Sequence, residues 1–393
     1  LRLTDLQNDH TSLRVGLATE RGIITSAYTT LRPLNKQTSK YMYYLLHAFD
    51  LKKGFYGMGS GVRQGLNYDG VKELRVILPD IEEQSAIIKY LDDKCTQIDD
   101  MMEETKKTIE DYRLWRASLI HSAVTKGINN CVPIKKCDLE WISEIPASWE
   151  TARLKSLFSF GKGLPITKAN LVDQGVPVIS YGQIHAKYNT GTEITEDLLR
   201  YVPESYVISN PDSLVHKADI LVADTSEDID GCGNCVYVDR EMTLFAGYHT
   251  IILRSKERDD NKYLAYLFKS DAWRSQIRTR VSGVKLFSVS QKILNMVTVI
   301  LPPKDEQDAI VAFLDERCRT IDALIENKQK LIEDLEQFTR SLIYDLVTGK
   351  IQKNDLRNLL SLTSFQMKEA GPRQQMPDTA AMKARICSWT SLP

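Results

Sequence analysis

LPDIEEQSAIIKYLDDKCTQIDDMMEETKKTIEDYRLWRASLIHSAVTKGI, residues 78 to 128, returns at 301 to 351 as LPPKDEQDAIVAFLDERCRTIDALIENKQKLIEDLEQFTRSLIYDLVTGKI; at an offset of 223 the copies share 22 of 51 residues without a gap. A tandem duplication accounts for this. Within each copy apolar residues alternate at spacings of four and three: Leu91, Cys95, Ile98, Met102, Ile109, Tyr112 and Leu119, matched by Leu314, Cys318, Ile321, Ile325, Ile332, Leu335 and Leu342. Such spacing is a heptad seam and predicts two long helices that lie on each other. Thr105 and Arg116, with Lys328 and Thr339 in the second copy, interrupt the seam with polar side chains, which fix register at some cost in stability. Pro79 and Pro302 stand just ahead of each helix, and Asp80, Glu82, Glu83, Asp305 and Glu306 put negative charge on the first turns, where the helix dipole favours it. Val-Thr-Lys-Gly at 124 to 127 and Val-Thr-Gly at 347 to 349 mark where the helices stop. A simple helical hairpin does not fit, because roughly 170 residues separate the copies, far more than a hairpin loop needs.

Outward from the repeat, 393 residues leave room for two or three domains, and 42% apolar with 26% charged residues is the balance of a globular protein. No apolar run is long enough to span a bilayer and no signal peptide opens the chain, so a cytoplasmic protein without membrane association is expected. The seven cysteines lack a disulfide spacing and read as reduced thiols, two of them in the seam. A net charge of −1 means that any nucleic-acid contact must come from local patches.

The duplication extends beyond the helices. Ala27-Tyr-Thr-Thr-Leu-Arg echoes Gly247-Tyr-His-Thr-Ile-Ile-Leu-Arg; Lys40-Tyr41 with Tyr44-Leu45 echoes Lys262-Tyr263 with Tyr266-Leu267; Ser60-Gly-Val-Arg echoes Ser282-Gly-Val-Lys. Both units therefore read as strand, short helix, glycine loop, strand and long helix. The runs VPVISYG, ADILVAD, CVYV, HTIILR and NMVTVIL in 176 to 301 are expected as strands. The stretch 261 to 280 has helical periodicity. The expected organisation is a partial first domain over 1–77, a helix over 78–128, a polar connector over 129–149, a second domain over 150–300, a second helix over 301–351, and a disordered tail over 352–393. Used as a ruler, the repeat predicts that about 75 residues of the first unit are missing ahead of Leu1.

The twin LPxxxEQ helix starts, Leu91-Asp92 and Leu314-Asp315, Ile98-Asp99 and Ile321-Asp322, the Ser-Leu-Ile and Val-Thr helix ends, and Glu140-Trp141 with Ile145-Pro-Ala-Ser-Trp149 together resemble the specificity (S) subunit of type I restriction-modification enzymes. The resemblance covers roughly residues 20 to 351. It implies an α+β fold with two target-recognition domains, the first incomplete, separated by two long antiparallel coiled-coil helices. It further implies a non-catalytic subunit in which each recognition domain reads one half of a bipartite target in double-stranded DNA, docked to two methyltransferase subunits and, through the complex, to motor/endonuclease subunits. Glu83 and Gln84 match Glu306 and Gln307 between copies beyond what the seam requires, and with Trp115 these are the expected partner-binding positions.

Residue chemistry gives an independent reading for DNA. Arg274, Arg278, Arg280 and Lys285 follow one another through a helix into a Ser-Gly loop, and Lys162 and Lys168 flank Gly161, Gly163 and Pro165. Basic side chains beside glycine loops suit phosphate contacts. Gln183, Arg63 and Gln64 can offer forked bonds to base edges. For each residue alone, solvated surface is the plainer role. Catalytic and metal sites are not expected, nor is a cofactor. Cys232-x-x-Cys235 has no second pair, glycine-rich phosphate loops are missing, and the acidic run Asp224, Glu227, Asp228 and Asp230 reads as a solvated loop. A coiled-coil scaffold without DNA binding would account for the helices but not for two β-rich units with basic loops. A free-standing nuclease or methyltransferase would need a cofactor loop or carboxylate cluster.

Overall fold

The computed structural model describes residues 1–3, 6, 11–35, 38–58, 65–129, 131–257, 261–283 and 285–351; the tail expected after Ile351 lies outside them. The long helices run Ile81–Lys126 and Lys304–Val347. Two compact units result, one of residues 1–106 with 329 onward (unit 1), the other of 107–328 (unit 2), so each unit contains the start of one long helix and the end of the other.

Both helix starts are closed by the same device. Gln84 Nε2 donates to Pro79 O at 2.7 Å and Gln307 Nε2 to Pro302 O at 2.9 Å, while Asp80 Oδ1 accepts from Glu83 N at 2.8 Å. Both ends turn out through a glycine with positive φ, Gly127 (φ +78°) and Gly349 (φ +72°), a conformation that carries no side-chain clash at glycine. The seam is buried at Leu91, Ile98, Ile109, Leu314, Cys318, Ile321 and Leu342. Of its polar interruptions, Thr105 and Thr339 turn their hydroxyls onto their own helices, donating to Met101 O and Leu335 O, and Arg116 Nε meets Asp322 Oδ1 across the pair at 3.0 Å. A Cβ at Gly127 would lie 2.9 Å from Glu306 Oε1. With the Arg116–Asp322 pair, this makes the helix halves of unit 2 antiparallel.

Unit 2 carries two four-stranded sheets. The first, in the order Cys235–Tyr237, Ile220–Ala223, Thr250–Ser255, Phe158–Lys162, is antiparallel throughout. In the second, Arg200–Val202, Val176–Ile179, Leu244–Ala246, Leu214–Val215, the central pair is parallel. Thr298–Leu301 pairs with Glu150–Arg153 and leads straight into the second long helix. The expected connector is not irregular: Ile134–Leu139 and Ile142–Pro146 form an antiparallel hairpin whose end buries Ile145 and Trp149. The helical stretch 261 to 280 is two helices, Lys262–Lys269 and Asp271–Arg278, because Ser270 adopts extended backbone and its Oγ accepts from Trp273 N.

Unit 1 departs from the expected order. The short helix is present as Ser39–Leu51, but the described residues of the unit form no strand, although Arg2 and Tyr28 make an isolated bridge. The matching segments of unit 2 are strands because each has a partner beside it, and counterparts of those partners do not occur among the described residues.

The repeat reappears as a joint between short and long helices. Lys40 Nζ and Tyr44 OH both hold the Asp92 carboxylate, at 2.5 and 2.7 Å; Lys262 Nζ and Tyr266 OH hold Asp315 at 2.7 and 2.6 Å. Tyr41 OH lies 3.2 Å from Val347 O, and Tyr263 OH donates to Val124 O at 3.1 Å. Val124 and Val347 are themselves one repeat apart. The tyrosine of each copy therefore secures the last turn of the other copy's long helix. Side chains of Lys262 and Asp315 are 22% and 27% exposed against 44% and 36% for Lys40 and Asp92, and water screens the second pair more. Tyr266→Phe is therefore expected to cost about 1–2 kcal/mol and Tyr44→Phe less, since the hydroxyl lost serves a less hydrated carboxylate in unit 2. Denaturant titration of the two variants checks the order.

Candidate nucleic-acid interface

At one end of the first sheet of unit 2, strand ends bring Asp224, Thr225, Tyr248 and His249 beside Tyr181. His249 has φ +56°, a left-handed conformation uncommon for a residue with a side chain and found where structure around it holds it there. Asp224 does so: its N donates to His249 O at 3.1 Å and its Oδ1 takes both His249 Nδ1 at 2.9 Å and Thr225 Oγ1 at 2.8 Å. With Nδ1 carrying that proton, Nε2 is left for an outside partner. Tyr181 packs edge-on against Tyr248 and His249, with ring centroids 5.2 and 5.5 Å away. Beneath them the backbones touch: a Cβ on Gly163 would fall 1.8 Å from Gly247 O, and one on Gly247 would fall 2.0 Å from Ser180 Oγ.

Asp224, Tyr248 and His249 of this cluster line a groove together with Lys162, Pro165, Ser288, Ser290 and Gln291. A cation, two hydroxyls, a carboxamide and exposed ring edges converge there. That combination can hold a phosphate and offer donors and acceptors to base edges. Tyr248, His249 and Gln291 escaped the sequence reading; the only signal they gave was a Tyr-His pair between two strands.

Of the residues singled out from sequence, Lys162 lies in this groove, and Lys168 and Lys285 are exposed outside its lining. Gln183 is half-buried and its Oε1 accepts from Ser180 N, closing a helix start and leaving only the amide N–H groups free for reading. The three arginines are structural. Arg274 donates through Nε to Cys232 O at 3.1 Å and through Nη2 to Asp230 O; Arg278 joins Asp230 O at 3.2 Å to Asp271 Oδ1 at 2.6 Å; Arg280 binds Gln276 O and Glu140 Oε2 at 2.8 and 2.7 Å. They tie the acidic loop and the hairpin to the helix, so part of each guanidinium is already occupied within the unit. Arg63 and Gln64 lie outside the described residues.

Of the expected partner positions, Gln84 is 3% exposed and serves its own helix start, Glu306 Oε2 accepts from Trp149 Nε1 at 3.0 Å, and Gln307 repeats the role of Gln84. Glu83 and Trp115 are half-buried. Among the described residues no group of His, Cys, Asp and Glu could hold a metal ion, and no helix is long and apolar enough to cross a membrane.

Close to Arg274, burial pushes the Lys269 ammonium down to about 8, the Cys235 thiol opposing this and Arg274 and Arg116 adding to it. The unfolded chain holds that proton up to its ordinary value near 10.5, so unit 2 is expected to gain stability as pH rises above about 8. Above about 9 the gain reverses, because burial holds Cys235 and Cys318 up at about 11 and the unfolded thiols lose their protons first. Lys269→Met should remove the rise between pH 8 and 9 in denaturant titrations.

The model of the type I restriction modification DNA specificity domain matches residues 14–111 and 146–337. This chain belongs to that family. It is 25% identical over 343 residues to the MjaVIII type I restriction enzyme specificity subunit of Methanocaldococcus jannaschii, spanning 86% of this chain and 76% of that one. With the putative MjaX specificity subunit of the same organism identity is 28% over 338 residues, 82% and 70% of the two chains. A solved chain described under "Structural basis underlying complex assembly and conformational transition of the type I R-M system" superposes with a TM-score of 0.57 over 79% of this chain and 70% of its own, at 16% identity. The protein is a DNA-recognition subunit of a type I restriction-modification system, a non-catalytic member of its complex rather than a coiled-coil scaffold alone. It thereby interacts with DNA and with other subunits.

Proposed function

We propose that each of the two units addresses one half of a bipartite target in double-stranded DNA in the cytoplasm. Two methyltransferase subunits dock at the long helices, and motor/endonuclease subunits join through the complex. The observation that supports this best is the repeated joint. Asp92 and Asp315 sit in identical clasps, so the surroundings of one helix start recur at the other, and a doubled surface recruits a doubled partner. Glu83 and Trp115 remain the candidate contact residues. Native mass measurement of the assembled complex should give two methyltransferase subunits per chain; a one-to-one complex would count against the reading.

Within unit 2, Lys162 with Lys168 and Lys285 supplies phosphate contacts, and Gln291, Gln183, Tyr248 and His249 supply base contacts. Lys162→Ala is expected to weaken binding about equally on all duplexes and to lower the salt slope by about 1. Gln291→Ala is expected to relax discrimination at one base position by about 1–3 kcal/mol. Selection from a random duplex library, at two salt concentrations, reads both. Unchanged preference in Gln291→Ala together with an unchanged slope in Lys162→Ala would move the interface elsewhere.

A further inference from the structure

Asp224 and His249 line the groove beside Lys162 and Gln291, and their side chains are 35% and 48% exposed. A carboxylate only accepts hydrogen bonds, so the 2.9 Å contact of Asp224 Oδ1 with His249 Nδ1 puts the proton of the neutral imidazole on Nδ1 and makes Nε2 an acceptor. Oδ1 is taken again by the Thr225 hydroxyl at 2.8 Å, whereas Oδ2 has no hydrogen-bond partner among the described residues. The pair therefore brings two open acceptors to the groove and no donor.

Backbone holds them there. Ala223 faces Thr250 in the antiparallel ladder, so Asp224 and His249 extend the same two strands by one residue, and Asp224 N donates to His249 O at 3.1 Å. Asp224 O accepts from Val289 N at 2.7 Å, which ties the pair to the wall that carries Ser288 and Ser290. The left-handed backbone of His249 belongs to this frame.

A free carboxylate in a groove that takes a polyanion repels phosphate and costs affinity unless it meets a donor. On DNA the donors within reach are base amino groups. In the major groove guanine presents only acceptors, thymine an acceptor and a methyl group, and adenine an amino group beside the acceptor N7; cytosine alone presents an amino group with no acceptor of its own. Two adjacent acceptors thus clash with guanine and thymine and meet N7 of adenine unfavourably. Adenine suits a carboxamide, which offers a donor and an acceptor together.

On the reading of this groove as a DNA-reading face, on which the inference rests, we propose that Asp224 selects a cytosine in the half-site addressed by unit 2. Oδ2 accepts from the N4 amino group, and His249 positions the carboxylate through Nδ1 while its Nε2 turns away acceptor edges.

Selection from a random duplex library with the full chain should return one position of that half-site fixed as cytosine. Asp224→Asn keeps an oxygen for His249 and Thr225 but exchanges the open acceptor for an N–H donor. It should lower the cytosine preference at that position about five- to a hundredfold and raise adenine there, the other positions staying as they were. The second measurement uses the unaltered chain, so it decides the matter even where Asp224→Asn fails to fold. N4-methylcytosine at the selected position, whose methyl group replaces the free amino hydrogen, should weaken binding by a similar factor and leave Asp224→Ala unaffected. A half-site without a fixed cytosine, a cytosine preference retained by Asp224→Asn, or wild-type binding indifferent to the methyl group overturns the proposal. Gln291→Ala separates its failure from that of the groove. A preference changed by Gln291→Ala but not by Asp224→Asn removes the cytosine assignment alone, whereas a preference changed by neither removes the groove as well.

Discussion

Trp149→Ala is expected to cost unit 2 about 3–5 kcal/mol, the range for deleting a fully buried large aromatic side chain. The residue has no exposed surface, and three separate contacts converge on it: the face of Tyr263, the Glu306 carboxylate through Nε1, and Gly127 at the end of the first long helix. It also stands at the point where the hairpin gives way to Glu150–Arg153, the partner of the strand that feeds the second long helix. Removing the ring leaves a cavity among groups that cannot close in, because Tyr263 is held by Val124 O and Glu306 by its own helix. For a unit of this size each kcal/mol corresponds to roughly 2–4 °C, so the melting temperature of unit 2 should fall by roughly 6–20 °C. Trp149→Phe keeps the ring volume in large part and loses the indole N–H, and should fall between wild type and alanine. Calorimetry that resolved a drop below about 3 °C for the alanine variant would mean that the hairpin end is not anchored there.

Much of the fold was legible because a repeat is a ruler. The seam positions, the proline starts, the glycine ends and five of the strands of unit 2 follow from residue type and spacing. The Lys-Tyr-Tyr motif could also be seen twice, but not what it grips, since Asp92 and Asp315 lie about 50 residues downstream in sequence. The arginines show the opposite failure. Sequence displays their charge, while the carbonyls of Asp230 and Cys232 that accept from Arg274 and Arg278 arrive from a loop 42 to 48 residues upstream. A surface inferred from charge thus became an internal brace. Unit 1 misled for another reason: a β-branched run is a strand only with a partner beside it, and Arg75–Leu78 has the sequence of one without the ladder. At the candidate interface one feature, the left-handed backbone of His249, is a property of the surrounding chain rather than of histidine.

Gly163→Ala is expected to have the largest effect on recognition of any single change in unit 2. Its Cβ would stand 1.8 Å from Gly247 O and 2.2 Å from Thr250 Oγ1, and the first of these is backbone, which no rotamer change can move aside. Gly163 N already donates to Thr250 O at 3.1 Å and Leu164 N to Ala246 O at 2.8 Å, so the two strand ends are stitched on both sides of the overlap. Relief can come only by separating the segment that carries Lys162 from the segment that carries Tyr248 and His249. Overpacking of this kind costs typically about 1–3 kcal/mol, which unit 2 should survive as a folded body. The groove should not survive it, because a shift of about 1 Å is enough to spoil hydrogen bonds that must reach phosphate and base edge together. The expected signature is therefore a modest fall in melting temperature with a loss of sequence preference at the half-site read by unit 2, whereas Gly182→Ala, where a Cβ meets nothing within 4 Å, should leave both unchanged. If Gly163→Ala retained the wild-type preference in a selected duplex library, the groove beside Lys162 would not be the reading face, and the exposed lysines outside it would have to carry the contact.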